Sequence, residues 1–196
     1  MPRRSFDVIV SWVGILLTAV LVVAGGLAFW GYSFANGRVH DQLAAQKIFI
    51  PPKGNEALAD PRIGKYLNQY AGQQLVNGAQ AEAYADHFIA VHLQSVANGK
   101  TYAEVSSLAR ANPDDQALQG QVQTLFRGET LRGLLLNAYA FWKFGEIALY
   151  GSIAAFTLAG IMFVLSLLGL WHLRKASPTE KIFAPATESL KEPVNA

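Results

Sequence analysis

Hydrophobic and polar positions divide this chain into two textures. Val8 to Trp30 and Ile147 to Trp171 are runs of apolar and small residues without one Asp, Glu, Lys, Arg or His, and about 110 residues of mixed pattern lie between them. Roughly 20 apolar residues at ~1.5 Å rise cover the ~30 Å hydrocarbon core of a bilayer, so each run is long enough to cross it as a helix. The pattern predicts an all-α protein, with residues 8–33 and 147–173 as transmembrane helices bracketing an extracytoplasmic helical domain at 34–146, and tails at 1–7 and 174–196. The apolar core of a signal peptide has only about 7–15 residues. The first run therefore reads as an uncleaved anchor, although Ser33-Phe34-Ala35 offers small residues to a peptidase. Trp12, Trp30, Tyr32, Tyr150 and Trp171 fall where interfacial aromatic belts belong.

The middle stretch carries helix punctuation rather than strand alternation. Phe34 to Gln46 can prolong the first helix, and Lys47 to Ile50 followed by Pro51-Pro52 is the single extended segment, because paired prolines stop a helix. Asp60-Pro61 is a cap followed by a first-turn proline, opening a helix through Ile63, Leu67 and Tyr70. From Gln80 to Ala97 the period is helical: at about 100° per residue Ala81, Ala85, Phe88, Ile89, His92 and Val96 share an apolar face, with Glu82, Asp86, His87 and Gln94 toward the other. Asn98-Gly99 ends that helix, Thr101 with Glu104 fits a capping box, and Asn112-Pro113-Asp114-Asp115 starts the next one with acidic residues at its positive end. Gly128 should interrupt that last helix, and Thr130 onward can run into the second span. Ala176 to Ala196, with three prolines, reads as a disordered tail.

Charge then orients the picture. Residues 36–146 hold ten basic and ten acidic side chains, so the middle has no excess of positive charge with which to bind nucleic acid. Arg3 and Arg4 at one end and Arg174, Lys175 and Lys181 at the other favour both termini in the cytoplasm of a multi-pass cell-membrane protein. Arg38, Arg132 and Lys143 on the outer flanks oppose that bias. The chain has no cysteine, which removes disulfides, thiolate chemistry and Cys-ligated metal.

Ala79 to Leu93 (AQAEAYADHFIAVHL), Thr101 to Val105, Leu125 to Leu134 (LFRGETLRGL) and Asn137 to Trp142 together resemble a family of actinobacterial two-span membrane proteins of unknown function, whose members carry the label aromatic ring-opening dioxygenase. The resemblance runs over nearly the whole chain and implies a two-span membrane protein. It carries over no catalytic residue.

The sharpest chemistry lies in Glu82, Asp86, His87 and His92, whose oxygen and imidazole groups are of the type that binds zinc or iron. A non-haem iron centre needs two His and a carboxylate converging on one point. His87 and His92 are five apart, about 140° around an α-helix, which separates them, so no metal and no cofactor are expected. His92 reads as a buried imidazole on the apolar face. Arg127, Glu129, Arg132, Lys143 and Glu146 form a charged stretch before the second span, either a surface for lipid headgroups or a partner, or helical ion pairs such as Glu129–Arg132 and Lys143–Glu146. Small residues at Ala24 and Ala28, and at Gly151, Ala155 and Ala159, allow close helix packing.

With four scattered histidines and no nucleophile motif, the sequence points away from an enzyme. The expected function is a non-catalytic accessory or scaffold role beside a larger membrane complex, with membrane lipids and a membrane protein as partners. A sensor or ligand-binding ectodomain is the alternative, although a sensor needs an output module larger than these tails. A metal-dependent enzyme comes third.

Overall fold

The computed structural model describes residues 3–173, and side chains from Ser5 onward. The tail expected to be disordered and the orienting charges Arg174, Lys175 and Lys181 lie outside the described residues, as do the side chains of Arg3 and Arg4. Among the described residues six α-helices account for the architecture: α1 Arg3–Gln46, α2 Pro61–Leu67, α3 Gly78–Ala83, α4 Ala90–Val96, α5 Tyr102–Ala111 and α6 Gln116–Leu173. The described residues contain no strand, only one bridge between Phe49 and Gln74. The chain divides into two units. One takes the apolar ends of the two long helices, through Phe29 and from Leu149, and the other runs from Trp30 to Ala148.

In the second unit, helix ends follow local chemistry. Lys47, in the left-handed region at φ 54°, terminates α1, and the extended residues after it pair with a later loop through Leu75 N–H to Ile48 O (2.9 Å) and Ile50 N–H to Gln73 O (2.9 Å). Asp60 caps α2 by accepting from Arg62 N–H at 2.8 Å. The Arg62 side chain donates to the same carboxylate, which holds Asp60 below the usual carboxylate range. Thr101 and Glu104 form the capping box on α5, with Thr101 N–H donating to Glu104 at 2.7 Å, and this bond lowers the Glu104 pKa. Asp115 accepts from Ala117 and Leu118 N–H and opens α6.

Two clusters of buried side chains form the interior of this unit. The larger gathers Val39 and Leu43 of α1, Leu75, Ala81, Ile89 and Leu93, Val105 of α5, and Leu125 and Leu135 of α6. The smaller holds Ile50, Leu58, Ile63, Leu67 and Val91. Tyr84 and Phe88 touch both.

The structure departs from the sequence reading in three places. The turn after Leu67 tightens to a 3-10 turn over Asn68–Tyr70 instead of continuing α2. Gly128 does not interrupt α6: a Cβ there would meet the Leu93 side chain, so this glycine permits close approach of another helix instead of breaking its own. The Gln80–Ala97 helix starts at Gly78 and opens into a π-helical segment, Tyr84–Ile89, with Ala90 N–H bonded to Ala85 O. Its buried stripe runs Ala81, Ala85, Ile89, Leu93, Ala97, every fourth residue. In an ideal α-helix that spacing drifts ~40° per step, about 160° over the stripe, and the extra residue of a π turn removes ~100° of it. The same shift carries His92 off the apolar face; it is exposed.

Candidate functional site

The π-helical segment is the most distinctive local feature of the second unit, since such turns are rare and recur at functional sites. It is held by contacts from two other helices. Arg132 of α6 donates to Asp86 at 2.8 and 3.3 Å and to Glu129 at 3.5 Å, and the bond to Asp86 raises the arginine pKa further. Tyr66 of α2 stacks on His87, with centroids 3.4 Å apart and planes 3° from parallel. Phe88 stacks on Tyr84 at 4.7 Å and lies tilted against His92 at 4.4 Å. His92 Nδ1 donates to Phe88 O at 2.7 Å, because a carbonyl can only accept, and in the neutral ring this leaves Nε2 as the acceptor. Burial raises the Tyr84 phenol pKa.

These contacts account for three of the four metal-type candidates. Asp86 is bonded to Arg132, His87 is stacked on Tyr66, His92 is tied to its own helix, and Glu82 stands half-buried. Among the described residues no three His, Asp or Glu side chains converge as a metal site requires. Of the charged stretch before the second apolar run, the Glu129–Arg132 pair forms at 3.5 Å, whereas Lys143 lies 5.9 Å from the Trp142 ring and no Lys143–Glu146 pair occurs among the described residues. Arg127 is exposed.

In the first unit the two apolar helices meet through serine and glycine. Ser11, Ser152, Ser166 and Ala159 are buried, with 2–5% exposure. A Cβ on Gly14 would meet Ser166 Oγ, one on Gly169 would sit 2.6 Å from Ser11 Oγ, and one on Gly25 would lie 3.1 Å from the Phe156 ring. Ser166 Oγ donates back to Met162 O at 2.7 Å, so the hydroxyl is satisfied without water. Of the small residues singled out in the sequence, Ala159 lies in this contact. Ala28 and Ala155 are half-buried at its edge, and Ala24 and Gly151 face outward, with nothing within 4 Å of a Cβ at Gly151. Ser11, Gly14, Ser166 and Gly169 were not expected here. The spacing Ser11-x-x-Gly14 against Ser166-x-x-Gly169 was the available signal.

A concavity in the Trp30–Ala148 unit also went unpredicted. A groove of about 590 Å³ runs between the early part of α6 and residues 34–46 of α1, lined by Phe34, Arg38, Gln42, Gln46, Asn137 and Phe141 above buried Val39 and Leu43. No family model, curated protein or solved structure matches the chain.

Proposed function

We propose that this chain is a two-span membrane protein whose helical unit lies outside the cytoplasm and works by binding, as an accessory or scaffold subunit beside a larger membrane complex. The observation that carries this is exposure. The most apolar windows of α1 and α6 have mean hydropathy 2.6 and 2.4, yet only 17% and 11% of their residues are buried. A core helix of a water-soluble protein would be covered by its own chain; these present Leu16, Leu27, Ile153, Phe163 and Leu168 outward. Hydrocarbon is the solvent that such a surface matches. The basic flanks support both ends in the cytoplasm.

The scaffold reading rests on Ala24 and Gly151, small residues exposed on α1 and α6 that let a third helix approach either backbone. Membranes solubilised in mild detergent and run on a blue native gel test it. The chain is expected in an assembly heavier than its own 21.3 kDa and a detergent micelle account for. Gly151→Leu is expected to shrink that assembly. Migration of the wild type as a detergent-bound monomer would contradict the scaffold role.

A further inference from the structure

Arg38 is exposed and lines the α1–α6 groove. Among the described residues no carboxylate lies within 4.0 Å of its guanidinium, not even Asp41 three residues on. Its one ring contact is with Phe34, 5.5 Å from the centroid. Phe34 is one turn toward the N-terminus, so the side chain leans back in the direction of Trp30, where the first apolar run ends. Arg38 is the single charge lining the groove. Gln42, Gln46 and Asn137 add amide donors and acceptors, and none of the three side-chain amides is hydrogen-bonded among the described residues. Phe34 and Phe141 are 48% and 55% exposed on its walls.

We propose that this groove binds the headgroup of an anionic, hydroxyl-rich phospholipid of the membrane that the chain crosses. Three features select that occupant. A lone guanidinium pairs with a phosphodiester, for which its donor fork is shaped. Neutral amides match the hydroxyls of a glycerol-type headgroup, whereas the ammonium of an ethanolamine or choline headgroup would find no carboxylate in the groove. Phe34, one turn nearer Trp30 than Arg38, is placed to accept the first methylenes of the acyl chains. Arg38 is eight residues past Trp30, ~12 Å along the helix, and a side chain leaning back by about half of that places its charge at phosphate depth. The inference rests on the membrane reading above, and the two fail differently: a chain released from membranes by alkaline carbonate defeats the membrane reading, whereas a retained chain without lipid preference defeats only this one.

The test is native mass spectrometry of the full chain, purified in detergent and supplied with equal amounts of phosphatidylglycerol, phosphatidylethanolamine and phosphatidic acid. The wild type is expected to retain one phosphatidylglycerol in preference. Arg38→Gln should lower that retention about five- to tenfold, the loss of one charged contact to an anionic lipid. Arg127→Gln, an exposed cation outside the groove, should leave it unchanged. Asn137→Leu removes an amide without touching the cation and should narrow the preference for phosphatidylglycerol over phosphatidic acid. Equal retention by wild type and Arg38→Gln, equal loss in Arg127→Gln, or displacement of the lipid by millimolar soluble glycerol phosphate would overturn the proposal.

Discussion

Alanine at Gly78 is expected to destabilise the Trp30–Ala148 unit by about 1–3 kcal/mol, the cost of forcing an extra methyl into a filled space. Gly78 is the first residue of α3 behind the cap Asn77, and a Cβ there would run into the Cβ, Cγ and Cδ2 atoms of Trp142. Neither side can yield easily, because Trp142 packs against the larger core cluster. Gly120→Ala is the control with the opposite sign. Gly120 sits in α6 with nothing within 4 Å of where a methyl would project, so alanine brings only its helix preference and a stiffer unfolded chain, worth about 0.5–1 kcal/mol of stability. Thermal melting followed by circular dichroism and tryptophan fluorescence distinguishes them. Each kcal/mol shifts the midpoint by several degrees in a unit of this size. A Gly78→Ala protein that melts with the wild type would show that α3 does not rest on Trp142.

Leucine at Gly14 is expected to open the contact between the two apolar helices. Glycine there lets Ser166 lie against the α1 backbone, and the packing lost on enlarging it is not replaced, since lipid tails are as apolar as leucine. Cysteines at Val10 and Leu168, which line one depression at that end of the unit, report the contact by disulfide crosslinking without background from natural thiols. The yield should fall several-fold in Gly14→Leu, as the ~1–2 kcal/mol scale of helix contacts in membranes implies. In Gly151→Leu, on the outward face, it should stay at the wild-type level. Loss of crosslinking in the second variant and not the first would place the helix contact on the Ala24 and Gly151 faces.

Much of the helical framework is legible in the residues themselves. Apolar runs of more than 20 residues fix the long helices, and Asp60-Pro61 and Thr101-x-x-Glu104 act within a single turn, so their chemistry can be read without knowing what surrounds them. Gly128 and His92 misled because their roles depend on distant neighbours. Gly128 is explained by Leu93, 35 residues earlier, and His92 by a π turn that follows from the need to keep Ala81 through Ala97 on one buried stripe. The usual small-residue spacing points to Ala24, Ala28, Gly151, Ala155 and Ala159 for the helix contact; Ala159 is buried in it beside Ser11, Gly14, Ser166 and Gly169. Buried Ser166 is tolerated there because its hydroxyl bonds back to its own helix, a bond that composition does not reveal. The Arg38 groove was hidden for a related reason: its two walls come from segments about 100 residues apart in the chain.

A hairpin in the membrane with its helical unit outside and both termini inside makes a direct prediction about labelling. The chain has no cysteine, so single substitutions Lys53→Cys, on an exposed loop, and Ala196→Cys, in the tail, give clean probes for a membrane-impermeant maleimide on intact cells. Labelling of Lys53→Cys in intact cells, with Ala196→Cys reacting only after permeabilisation, is the predicted result. Labelling of Ala196→Cys and protection of Lys53→Cys would contradict it.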